Sequence, residues 1–137
     1  MDFVKERSIG MKREDKELLL IDLCARSPYG VKIRIEYPFL KEEEWYSEIL
    51  YGLDLQRLCI ANTSIRLEEF KPYLIPLSSM TPEQKEEERS IKEESYYSFD
   101  ANGNIYTLQD FYNKNHIDYR GLIEKGLAIE APKGMYN

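Results

Sequence analysis

Residues 31–39 read VKIRIEYPF, in which Val31, Ile33, Ile35 and Tyr37 alternate with Lys32, Arg34 and Glu36. Successive side chains of a strand point to opposite faces, so this segment has one face for a core and one for water. Something must cover the dry face. The residues just upstream qualify: from Lys12 to Arg26 the sequence predicts a helix, with Leu18, Leu19, Ile21, Leu23 and Cys24 on a broad apolar face and Asp15, Lys16 and Asp22 off it. Ser27-Pro-Tyr-Gly30 separates the two, because the residue before a proline avoids the helical region and Gly30 can take positive φ.

The links that follow are short. Pro38 ends the first strand, and Lys41 to Glu44 is a charged turn. Trp45–Leu55 reads as a second strand with a bulge or turn at Gly52-Leu-Asp54, and Gln56–Thr63 as a third, centred on Leu58-Cys59-Ile60. Such links are too short for parallel crossovers, so an antiparallel meander is expected. Ser64–Phe70 suits a fourth strand or a short helix. Residues 70–80, FKPYLIPLSSM, carry prolines at 72 and 76, which argue against a central strand. Their apolar residues point to an irregular segment packed across the core.

Thr81-Pro-Glu-Gln84 is a strong helix start: Thr81 as N-cap, Pro82 in the first helical position, Gln84 closing a capping box. The helix runs to about Glu94 and has only Ile91 as a clearly apolar residue, which predicts a mostly solvated element. Glu88–Lys92 and Arg89–Glu93 are spaced as i,i+4 charge pairs. Asp100-Ala-Asn-Gly-Asn104, between Tyr96-Tyr-Ser-Phe99 and Ile105-Tyr106, predicts a hairpin. It resembles the start of a calcium loop, but Phe111 stands where the closing glutamate belongs. Thr107 caps a short helix over LQDFYNKN, and Asp118 is placed to cap another from Tyr119 to Lys125, ended by Gly126. The fold class is thus α+β: a small antiparallel sheet of three to five strands packed against an N-terminal helix and short C-terminal helices. One domain over 1–137 is expected, with residues 1–11 a peripheral extension and Met11 an alternative start.

Charge is uneven along the chain. Residues 35–70 hold eight Asp/Glu against three Lys/Arg, and residues 71–100 seven against four, whereas residues 1–34 are mildly basic. Acid in the middle argues against direct contact with a nucleic-acid backbone. No signal peptide or membrane-length apolar run is visible, so a cytoplasmic protein is expected. Cys24 and Cys59 lie in apolar runs without CxxC spacing, and both read as buried reduced thiols.

Chemistry is sparse. His116 is the only histidine. With Asp118 nearby it is a candidate general base, but a nucleophile or oxyanion donors are needed too, and no motif supplies them. No catalytic residue, cofactor or metal ligand is assigned, and Arg120 is expected to pair with a local carboxylate. Glu42, Glu43 and Glu44 beside Trp45, and Glu86, Glu87 and Glu88 on the capped helix, are candidates to meet a basic partner. Tyr96 and Tyr97 join them, since tyrosine is enriched at interfaces.

Three segments, KELLLIDLCARSPYGVKIRI, IRLEEFKPYLIPLSSMTPEQKEE and DFYNKNHIDYRGLIEKGLAIEAP, resemble a family of small proteins from Bacteroidetes bacteria and their phages or prophages. They cover about half of the chain and leave residues 38–60 and 89–105 outside. The family has no established activity, so the resemblance implies only a context: a mobile-element gene whose product binds host machinery, CRISPR effectors and other nucleic-acid-binding defence complexes included. The expected partner is a host protein with a basic surface. The alternative is a small structural or regulatory module with apolar partner contacts, including a homodimer through an exposed strand.

Overall fold

A computed structural model describes residues 11–136; of the expected peripheral extension over 1–11, residues 1–10 lie outside them, while Met11 packs against the larger core. The chain runs through helix α1 (Arg13–Arg26), strands β1 (Lys32–Ile35), β2 (Tyr46–Ile49), β3 (Leu53–Asp54), β4 (Cys59–Ile60) and β5 (Phe70–Pro76), and helix α2 (Pro82–Glu93). Strands β6 (Tyr97–Phe99) and β7 (Ile105–Thr107), helix α3 (Leu108–Lys114) and strands β8 (Ile117–Asp118) and β9 (Ile129–Glu130) complete it. The fold is α+β, with an N-terminal helix, small sheets and short helices in the C-terminal half.

The main sheet runs β2-β1-β5-β8, with β9 also on β5. Its first three strands are antiparallel, with Ile33 opposite Glu48 on one side and Pro72 on the other. β8 and β9 join β5 in parallel, at Ile75–Ile117 and Tyr73–Ile129. The expected three-strand meander does not form, because β3 and β4 pair with each other as a two-residue ribbon, Cys59 adding a single bridge to Arg66, and neither joins the main sheet. Tyr51 and Gly52 interrupt the long strand expected over Trp45–Leu55, and turns take up most of Gln56–Thr63.

Residues 70–76 are not the irregular segment expected from their two prolines but β5, at the centre of the sheet. Backbone groups alternate between the two edges of a strand. Glu36 N–H donates to the Glu69 carbonyl and Ile75 N–H to the His116 carbonyl, both at 2.8 Å, so odd-numbered residues face β1 and then β8. Even-numbered ones face β9, where Ala131 N–H reaches the Leu74 carbonyl at 2.8 Å. Pro72 and Pro76 are both even. They flank the two residues that β9 pairs, so neither missing N–H interrupts a ladder. Tyr136 then fills the seam where β1 and β5 part: its hydroxyl accepts from Lys32 N–H at 2.8 Å and donates to the Tyr73 carbonyl at 2.8 Å.

Two apolar cores result. Leu19 and Leu23 of α1 meet Ile33, Ile35, Phe70, Leu74, Leu122 and Leu127 in the larger; Met80, Ile91, Leu108, Phe111, Tyr112 and Ile117 form the smaller. On α1 the buried positions are Leu19, Asp22, Leu23 and Arg26, spaced i, i+3, i+4, i+7. The stripe therefore passes through two charged residues, while Ile21 and Cys24, expected inside, are exposed. Both cysteines are free, and Cys59 is buried as expected. Residues 119–125 form no helix: Arg120 is a bend, and turns begin at Leu122. Gly121 takes φ 76° at the third position of that segment and reverses the chain. Asp118 still organises it, its two oxygens accepting from Leu122 and Ile123 N–H at 2.9 Å.

Candidate functional site

The Thr81–Gln84 capping box forms as expected, Thr107 caps α3 as expected with Asp110 completing a second box, and the two fix the starts of α2 and α3. Between them the chain must turn from helix to hairpin. It does so through consecutive left-handed residues, Ser95 at φ 68° and Tyr96 at φ 72°. Tyr96 is tied down on both sides: its N–H donates to the Ile91 carbonyl and its carbonyl accepts from Leu108 N–H. Asp100 pins the hairpin turn, one carboxylate oxygen accepting from Asn102 and Asn104 N–H at 2.9 Å, while Gly103 supplies φ 80°. Those bonds, above all that from Asn104, hold the Asp100 carboxyl below its usual pKa.

The registry Tyr97–Thr107, Ser98–Tyr106, Phe99–Ile105 decides what the hairpin shows. Tyr97, Phe99 and Ile105 fall on one face, Ser98 and Tyr106 on the other. The first face is open: Phe99 is 62% and Ile105 64% exposed, and Tyr97 meets Phe99 edge to face at 6.0 Å. The second face closes a groove of about 220 Å³ against α2 and α3, where Glu87, Ile91, Asp100 and Lys114 also line the wall. Lys114 Nζ lies 5.7 Å from the centre of the Tyr106 ring.

Glu86, Glu87 and Glu88, the three candidate glutamates of α2, have separate fates. Glu86 pairs with Arg89. Glu88 accepts from the Tyr112 hydroxyl at 2.6 Å and lies 3.7 Å from Lys92. Burial, with Glu88 adding to it, raises the Tyr112 phenol above its ordinary pKa. Glu87 alone lines the groove. Tyr96 and Tyr97 are exposed beside it. Phe99 and Ile105 were not singled out from the sequence; the signal was in the hairpin's own alternation, Y-S-F against I-Y-T, once the short solvated helix was seen to cover only one face.

Glu42–Glu44 form a single 3₁₀ turn leading into β2, and Glu44 bends back to accept from Lys41 N–H at 2.8 Å. Trp45 lies under the Arg34 guanidinium, 4.9 Å from its ring centre. This group sits at the β2 end of the main sheet, whereas α2 packs on α3 and β6 at the β8 side. The two acidic clusters are not brought into one site.

His116 is buried, not set on an open turn. It holds φ 59°, its carbonyl receives Ile75 N–H, and its ring stacks on Tyr136 at 3.8 Å. Nδ1 has no hydrogen-bond partner. Burial, with Arg26 and Lys32 adding to it, lowers the imidazole pKa to about 4, so the ring is neutral near pH 7. Asp118 is no partner for it, being committed to the Leu122 and Ile123 amides. Arg120 pairs not locally but with Asp22 of α1, at 2.8 Å, and Asp22 also holds Arg26 at 2.8 Å. Among the described residues no His/Cys/Asp/Glu group has the makings of a metal site, and no helix is long and apolar enough to cross a membrane.

No protein-family model, curated protein or solved structure matches the chain.

Proposed function

We propose that this chain is a non-catalytic binding protein, which docks the acidic, aromatic face of α2 and the β6–β7 hairpin onto a basic surface of a host protein. The observation that carries the reading is the open hairpin face of Tyr97, Phe99 and Ile105, exposed beside α2. Large apolar side chains gathered on one exposed face are a feature of interaction sites. From Pro82 to Asp100 seven carboxylates stand against three Lys/Arg. That excess steers a basic surface toward the hairpin, and the aromatics supply the desolvated centre. The phage context implied by the family resemblance makes the partner a nucleic-acid-binding defence effector of a bacterial cytoplasm, whose basic groove this face would block. The buried, neutral His116 fits a structural role better than a catalytic one.

The test is a pull-down from host lysate with the wild type and with Phe99→Ser/Ile105→Ser. A partner retained by the first and lost by the second is expected, with an association rate that falls steeply between low and high salt. Equal capture by both proteins, or a salt-independent rate, would refute the proposal.

A second reading rests on β2. All four of its residues are exposed, and it forms an outer strand of the main sheet. An open edge can pair with a second copy. Light scattering of the purified chain separates the two, since the docking reading expects a monomer.

A further inference from the structure

The groove behind the hairpin already holds a cation. Lys114, on the last turn of α3, sets its ammonium over the Tyr106 ring, and Glu87 and Asp100 line the same space. Ile91, 3% exposed, adds apolar surface to the same wall. An apolar patch at Ile91, an aromatic face and two carboxylates suit a long side chain with an apolar stem and a positive end. We infer that this groove receives a lysine or arginine side chain of the docked partner, and that Lys114 is its internal competitor. The inference rests on the docking reading above: the partner's apolar residues cover Tyr97 and Phe99 while its cation reaches around the hairpin.

Lys114 gives the idea a signature that a merely acidic surface lacks. Removing a nearby lysine raises affinity for any cation through net charge, but removing Lys114 also vacates the Tyr106 face. Lys92, exposed on α2 next to Ile91 of the groove wall, serves as the control of equal charge.

The probe is n-butylguanidinium, with n-butylurea as its neutral counterpart, titrated into the full chain and followed by amide chemical shifts. Saturable changes at Glu87, Ser90 and Ala101 are expected with the cation and not with the urea, with a dissociation constant on the order of millimolar. Lys114→Ala should tighten binding roughly threefold, the scale of an exposed cation–π contact. Lys92→Ala should tighten it clearly less than Lys114→Ala does, and Glu87→Gln should weaken it. A silent groove, an equal response to the urea, or equal tightening by both lysine variants overturns the inference while leaving the hairpin-face test standing. If instead the fragments bind but Phe99→Ser/Ile105→Ser captures the partner as well as wild type, the docking reading falls, and the assignment to a partner's side chain falls with it.

Discussion

At the scale of single residues, the decisive feature is that the buried stripe of α1 includes Asp22 and Arg26, both fully buried. Their i,i+4 spacing was legible in the sequence, but the third member, Arg120, lies 98 positions away, and no local rule points to it. Asp22 holds both guanidiniums, so deleting it strands Arg26 in the interior. Removing one partner of a buried pair is far costlier than replacing the pair with apolar side chains. Asp22→Ala should therefore lower unfolding stability by about 3 kcal/mol or more, and Asp22→Leu/Arg26→Met by much less; urea denaturation of the two variants checks both. His116 provides a pH prediction. Its folded pKa of about 4 lies below the ordinary 6.5. As pH falls below about 6.5 the unfolded chain takes up the proton first, so stability present above that pH is lost progressively down to about 4. The loss is at most about 3 kcal/mol. His116→Asn suits the left-handed backbone, and its denaturation midpoint should depend less on pH across this window than that of the wild type.

At the scale of elements, strands and helices were readable where the deciding interactions are local. The N-caps of α2 and α3 and the Asn102-Gly103 turn depend on residues within four positions of one another, and all three form as expected. β5 depends on parity across a sheet. A rule that excludes proline from central strands missed that prolines four residues apart point their missing N–H groups to the same edge, which here has only a two-residue partner. Moving the proline by one residue tests the argument. Lys71 lies opposite Arg34 in the β1 register and faces β1. Lys71→Pro should cost about 2 kcal/mol or more by removing a ladder donor, measured by urea denaturation. The seam beside it depends on a residue at the far end of the described chain. Tyr136→Phe leaves Lys32 N–H and the Tyr73 carbonyl without their bridge and should cost about 1–3 kcal/mol. The sequence carried no sign of this role, because Tyr136 lies 104 positions from Lys32 and 63 from Tyr73, beyond the reach of any local rule. Residues 119–125 failed for the opposite reason: Asp118 and Gly126 have cap chemistry, and a single left-handed glycine between them overrode it.

At the scale of the whole molecule, the two cores are unequal, and the proposed docking face belongs to the smaller. The larger core gathers α1, β1, β5 and the 122–128 turn around side chains with no exposure at all, among them Leu19, Ile33, Ile35 and Leu74. The β6–β7 hairpin has three residues to a strand, leaves one face in solvent and rests on a groove rather than on a packed layer. Short two-stranded ribbons have little stability of their own, and local opening free energies track buried apolar contact. Native-state hydrogen exchange should therefore separate two levels. The ladder amides joining β1 to β5 should exchange only through global unfolding, at the free energy that denaturant titration gives. Those of β6 and β7 should exchange through a lower-energy opening that leaves the main sheet intact. The hairpin then pays an ordering cost on docking, so a bound partner should slow exchange at Tyr97–Phe99 and Ile105 by at least tenfold while leaving β1 and β5 unchanged. If the free hairpin exchanged as slowly as β1, the face would be a rigid extension of the core, and affinity would come from its shape alone.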